Sequence, residues 1–346
     1  MTRSLVWTIA LGAWSQAACA AGGAATQPQV AMHLDTQACD IAAASPWITR
    51  WLDAWELTSR EILRLPSAPA PTIVFYDSAC VYTTSDAVLP GIAPVEGPSL
   101  HGAALPWRNA AHNDSIPLPD GSRVPIALMS FTSSDTSGPY FVMAAPAYWI
   151  AALGRDDAVG FTGVFLHEFT HTRQLRGMEA VIGPIDAAWA YSDELTDDAV
   201  QAHFGPDSVY VAGYLAERDL LYRAAAADAL TEARALAAEA LEMMRSRHAR
   251  WFTGDSAVFS ILDDTFLSME GAAQWAGYAW LAHPQGGGME RAQAVVTMLG
   301  RRRWWTQDAG LALFLVIDRI YPEWPGLVFG NLSLGATELL ARAIEG

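Results

Sequence analysis

The pentad His167-Glu168-Phe169-Thr170-His171 constrains this chain more than any other stretch. On an α-helix, residues four apart lie on one face about one turn apart, so the run from Val159 to Leu175 is read as a helix offering both imidazoles to one cation. Neutral imidazole suits zinc, which in catalytic sites takes three protein ligands and leaves room for a water whose pKa falls to about 7. A carboxylate beside the first histidine that does not bind the metal, here Glu168, can accept the water's proton and return it to a leaving amine. Val164, Phe165, Leu166, Phe169 and Leu175 supply an apolar back, which predicts a buried back and a histidine face that looks into a cleft. Gly160 and Gly163 lower helix propensity, so either the helix starts near Phe161 or another backbone packs closely there. The plain alternative is a pair of histidines satisfied inside a core.

Two histidines are an incomplete site, and the third group has two candidates downstream. Glu270 opens a stretch of small residues, Gly271, Ala272 and Ala273, that would let another helix approach closely. Glu194, in Ser192-Asp-Glu-Leu-Thr-Asp-Asp198, has Asp198 one turn later, where a carboxylate could orient a ligating histidine. HExxH followed by a glutamate from a later helix resembles the gluzincin metallopeptidases. Within that family Glu-Gly-x-Ala with an aromatic soon after often carries the third ligand, and Glu270-Gly-Ala-Ala-Gln-Trp275 is similar to it. Thermolysin-like members use Glu-x-x-x-Asp instead, which Glu194 to Asp198 matches. The resemblance favours Glu270 and implies a zincin-like α+β fold: a small mixed β-sheet lobe, then a large helical lobe, with the active site between them. It also implies a Zn2+-dependent peptidase acting on peptide or protein substrates. It spans motifs from about Phe161 to Tyr278, and its departure is the interval of 99 residues between His171 and Glu270, far longer than in the best-known members.

Weaker candidates surround this set. Gln174 would point near the cleft rim, a solvated glutamine being the equal alternative; Tyr278, Arg245 or Arg247 could stabilise an oxyanion, although each of these three is more simply structural. Glu217 and Asp219 read as surface charges on a long helix. No GxSxG, P-loop or GxGxxG occurs.

The address lies at the start. Arg3, the apolar run Leu5–Trp14 and Ala18-Cys19-Ala20 fit a signal peptide over residues 1–20, and the apolar run is too short to span a membrane. A lipoprotein reading of Cys19 is disfavoured by Gln16, which stands where an aliphatic residue would be wanted. Cleavage leaves Cys39 and Cys80, which in an exported, periplasmic or secreted chain predicts one disulfide. The formal charge of −16 argues against nucleic acid or an anionic membrane as partner. All 21 basic residues are arginine, to which no function is attached, and the 14 tryptophans are read as core.

The remaining pattern divides into an N-terminal α+β lobe over 21–156, its first residues small and polar, and a helical metal-binding lobe over 157–346. Helical spacing runs from Asp40 to Leu65, and strands are predicted at Pro71–Tyr76, Val124–Thr132 and Tyr140–Ala144. Residues 84–122 read as mostly loop, with a turn at Pro119-Asp-Gly121. A Gly/Pro-containing connection follows Leu175. Helices are then predicted over Ile185–Phe204, Val209–Trp251, Val258–His283, Gly288–Leu299, Ala309–Ile320 and Ala336–Ile344. A module that keeps such a fold for binding or support, without catalysis, is the competing functional class.

Overall fold

The computed structural model describes residues 39–191, 195–300, 302–330 and 334–346, so the signal segment and Glu194 lie outside the described residues. The chain separates into two compact units. One holds residues 39–52 and Ala70–Ala158; the other holds Asp53–Pro69 and Val159–Gly346. Helix α1 (Ile41–Leu57) starts in the first and ends in the second, where a π-helical turn, Thr58–Ile62, follows it.

In the first unit β1 (Thr72–Tyr76), β2 (Cys80–Thr83), β3 (Arg108–Ala111), β6 (Ser130–Asp135) and β7 (Gly138–Ala144) form a sheet in the order β3-β2-β1-β7-β6. Only β1 and β7 run parallel, with Ile73 opposite Phe141 and Val74 opposite Val142; the other pairs are antiparallel. Ile73, Val74, Phe75 and Tyr76 are all fully buried, which explains why β1 reads as a continuous apolar run with no alternation. Trp47 and Trp51 of α1 close over Phe75, with ring centroids 5.0 and 5.4 Å away. The predicted disulfide Cys39–Cys80 ties the residue before α1's cap to the first residue of β2, across a Cα–Cα distance of 5.7 Å. Closing a loop of 41 residues contributes about 4 kcal/mol by the chain-entropy relation.

The stretch 84–122 is mostly irregular as expected, with two short strands in it, β3 and β4 (Ser115–Pro117). β3 has no β-branched residue and β4 has only Ile116 beside Pro117, so both form strands through their partners, β3 on β2 and β4 on β5 (Arg123–Pro125). The strand expected over Val124–Thr132 is in fact two, β5 and β6, in different sheets. Pro125 ends the first, since it cannot donate to a ladder. The Pro119-Asp-Gly121 turn is present, with the Gly121 amide donating to the Leu118 carbonyl at 3.0 Å. Helix α2 (Pro146–Leu153) closes this unit.

The second unit is helical: α3 (Ala158–Thr170), α4 (Leu175–Ala187), α5 (Ala199–Phe204), α6 (Ser208–Ala226), α7 (Leu230–Trp251), α8 (Val258–Ala282), α9 (Arg291–Leu299), α10 (Trp305–Ile320), α11 (Pro325–Val328) and α12 (Ala336–Glu345). Three expectations fail here. The Gly/Pro connection after Leu175 is α4, because Leu175, Met178 and Ile182 are buried at helical spacing and outweigh Pro184 inside the helix. Of the helix predicted over Ile185–Phe204, the first three residues end α4 and the last six form α5, while residues 188–191 and 195–198 lie outside any helix. The long helix predicted over Val209–Trp251 breaks at Ala227–Ala229 into α6 and α7, which pack against each other. A single rod would leave both apolar faces uncovered. Helix α8, with α4, α9, α10 and α12 against it, is nearly buried all round. No helix of the described residues is long and apolar enough to cross a membrane.

The architecture is therefore mixed α+β, a small sheet followed by a larger helical part.

Candidate metal centre

Helix α3 carries His167 and Glu168, and closes at Thr170, so that His171 opens a short 3-10 turn, His171–Arg173, before α4 begins. The change of helix type leaves the two rings edge to face, 4.9 Å between centroids and 88° apart. Of the two explanations offered for the glycines, close packing holds at Gly163. Helix α3 starts at Ala158, before both of them, and a Cβ added at Gly277 of α8 would stand 2.9 Å from the Gly163 carbonyl oxygen.

That contact brings α8 alongside, and with it Glu270. One carboxylate oxygen lies 3.2 Å from Nε2 of His167 and the other 3.4 Å from Nε2 of His171, while the two Nε2 atoms are 3.3 Å apart. His167, His171 and Glu270 thus form a buried group able to hold a metal ion. All three, and Glu168, belong to the helical unit. The histidine face is not open as the amphipathic reading implied: His167, His171, Glu168 and Glu270 are at most 3% exposed.

The electrostatics follow from that burial. It lowers His171 to about 4, a drop that Glu270 opposes, so its imidazole is neutral at ordinary pH and keeps a lone pair for a metal. Burial pushes Glu270 upward, but the imidazoles of His171 and His167 hold it below the usual carboxylate range. Asp197 and Asp198 are raised, first by burial and then by the charge of Glu270, Asp198 to about 7. Asp198 therefore lies within electrostatic reach of the group, yet its Oδ1 has no hydrogen-bond partner among the described residues, and neither has Nδ1 of His167. The role of orienting a histidine that Asp198 was expected to play falls to Gln174.

Gln174 is buried, not at a rim. Its Oε1 lies 2.8 Å from Nδ1 of His171, and its Nε2 donates to the Met269 carbonyl at 3.1 Å. A carbonyl can only accept, so that second bond fixes which end of the amide is which. Nδ1 of His171 must then be the N–H, and Nε2 carries the lone pair that faces Glu270 and His167. The side chain also joins the HExxH segment to the residue immediately before Glu270. Position 174, three after the second histidine, is the spacing that signals such a contact.

The close helix approach that Gly271 permits is made by α10 and not by the HExxH helix: a Cβ at Gly271 would stand 2.6 Å from the Gly310 carbonyl oxygen and 2.5 Å from the Phe314 ring. Arg247 has its donors committed elsewhere, to Glu217, Asp263 and Tyr210. Glu217 is consequently not a surface charge but a buried partner of that arginine; Asp219 does remain exposed. Arg245 is exposed on α7. Tyr278 lines a separate cavity, whose walls include none of His167, Glu168, His171 and Glu270. Comparison with protein-family models, curated sequences and solved structures finds no match, so the likeness to gluzincins rests on these residues alone.

Proposed function

We propose that the protein is an exported zinc-dependent hydrolase, most simply a peptidase of gluzincin type, in which His167, His171 and Glu270 hold the metal and Glu168 is the general base. The observation that carries this reading is the spacing of the three donors. Donors about 2.0–2.1 Å from a tetrahedral zinc stand roughly 3.3–3.4 Å from one another. Here the two Nε2 atoms are 3.3 Å apart, and the Glu270 carboxylate bridges them with one oxygen each, 3.2 Å from His167 and 3.4 Å from His171, so one donor atom from each residue lies within 4.8 Å of the others. The donor set, two imidazoles and one carboxylate, is one that zinc accepts in hydrolytic sites. Zinc would supply a Lewis acid that brings a water's pKa to about 7 and polarises a carbonyl. The chain's own part is to place and move protons. Glu168, next to His167 and fully buried, takes a proton from the attacking water and passes it to the leaving amine. Gln174 holds Nδ1–H of His171, leaving Nε2 unprotonated. Export is supported by the Cys39–Cys80 bond and by the signal-like segment 1–20.

A second reading, a non-catalytic module with a structural metal, is favoured by the burial of all four residues. One experiment separates the two. The mature protein should contain about one zinc per chain and hydrolyse members of a peptide library, and Glu168→Gln should keep the metal while losing at least about 10²-fold in rate. Equal rates for Glu168→Gln and wild type would remove Glu168 as base; zinc with no hydrolysis of any substrate would favour the module.

A further inference from the structure

The helical unit has a second concave site. A cavity of about 720 Å³ opens between the π-helical turn, α6, α8, α9 and α10, a volume typical of small-molecule sites. Ile62, Trp275, Val295 and Leu315 give it apolar walls. Trp275 is 6% exposed and held edge-on against Trp324, 5.1 Å between centroids, so this wall is fixed before any ligand arrives.

The polar lining is unusual in what it leaves unused. Arg291 makes no hydrogen bond or ion pair among the described residues, and the Tyr278 hydroxyl has no hydrogen-bond partner among them. Asp318 accepts one long bond, 3.3 Å, from Nε1 of Trp324. Arg319, in the same lining, shows the contrast: it is committed to the carbonyls of Ala225 and Asp228 at 2.8 and 3.1 Å. Arg291 and Asp318 are close enough to feel each other's charge, yet they are not within ion-pair distance. A cation and an anion that face one cavity without meeting can both be satisfied by a molecule carrying both charges. A guanidinium with a neighbouring phenol matches a carboxylate, and a part-buried aspartate matches an ammonium.

We propose that this cavity binds a zwitterion with an apolar body, an amino acid or short peptide, with its carboxylate on Arg291 and Tyr278, its ammonium on Asp318 and its side chain against Trp275. This site is independent of the metal centre, although α8 contributes to both.

Calorimetric titration of the metal-loaded protein with free phenylalanine, N-acetylphenylalanine and phenylalanine amide tests the proposal. Free phenylalanine should bind with a Kd of millimolar or better, and each capped form should lose about 10-fold, the scale of one charged hydrogen bond. Arg291→Gln, at an exposed position, should remove the discrimination against the amide while leaving that against the acetyl form. Asp318→Asn, which keeps an acceptor for Trp324, should do the reverse. Binding should survive removal of the metal by a chelator, and Glu168→Gln should bind as wild type does. Absence of binding, caps that make no difference, or binding lost together with the metal would each overturn the proposal, and none of them bears on whether the metal centre hydrolyses peptides.

Discussion

Two buried polar clusters of the helical unit differ in one respect, and the difference separates a brace from a site. Around Arg247, two carboxylates and a phenol converge on one guanidinium: Nε lies 3.0 and 2.9 Å from the oxygens of Glu217, Nη2 3.0 Å from Asp263, and Nη1 3.0 Å from the Tyr210 hydroxyl. His248 adds a bond to Asp263 at 2.9 Å, and the Tyr214 ring lies under the guanidinium at 5.0 Å. Every formal charge there meets its opposite. At the metal centre the converging atoms are lone-pair donors, and neither oxygen of Glu270 has a well-aligned hydrogen-bond donor among the described residues. The Arg247 network is nearly saturated from within, with Oδ1 of Asp263 left without a partner among the described residues, and a buried network is stable to the extent that it is saturated. One whose acceptors face each other calls for a cation from without.

The sharpest way to break this contrast is to remove Glu270. Glu270→Ala should lower metal affinity well beyond the roughly 10–100-fold typical of an outer partner, read as metal retained after dialysis, while Glu194→Ala should keep the metal. The opposite result would move the third ligand to Glu194. At the other cluster, Arg247→Met should cost about 3–5 kcal/mol in urea unfolding, because it leaves Glu217 buried without its cation and Asp263 with His248 alone. The folded fraction should still bind metal one to one. A loss below about 1 kcal/mol would show that the network is not the brace described.

Smaller effects sharpen the comparison. Gln174→Leu should weaken metal binding by about 10–100-fold, measured by chelator competition. Gln174→Glu, which keeps an acceptor for His171 but cannot donate to Met269, should lose less; equal losses would place the effect in packing and not in the imidazole's tautomer. The acid limb of stability should report on Asp263. Burial raises its pKa, but Arg247 and His248 more than offset this and hold it below the usual range. Its contribution is therefore complete above the ordinary carboxylate pKa of about 3.9 and disappears as pH falls through the lower folded value. Asp263→Asn should flatten the stability curve there and leave it unchanged in shape near neutrality.

What could be read without coordinates followed from chemistry tied to spacing. His167 and His171 are one turn apart, Glu270 heads a run of small residues, and Cys39 and Cys80 are the pair left once the signal-like segment is set aside. What escaped was whatever depends on which neighbour a face meets. Gln174 looked solvated because nothing in its own segment predicts the Met269 carbonyl. Glu217 looked exposed because its partner Arg247 stands 30 residues away on the returning helix, and the turn between them, Ala227-Asp-Ala229, has no glycine or proline to announce it. The cleft was inferred from an apolar back and a polar front, but α8 is apolar enough to bury the front as well.

The glycine crossing of α8 and α10 has a consequence for anyone who would move this centre into another scaffold. A Cβ at Gly310 would stand 2.7 Å from both N and Cα of Gly271, so the two backbones touch with no side chain as spacer, one residue from Glu270. The carboxylate's height along α8 is therefore registered against α10, a helix that supplies none of the three donors. A graft limited to α3, the 3-10 turn and α8 would carry the right side chains and leave behind the ruler that spaces them.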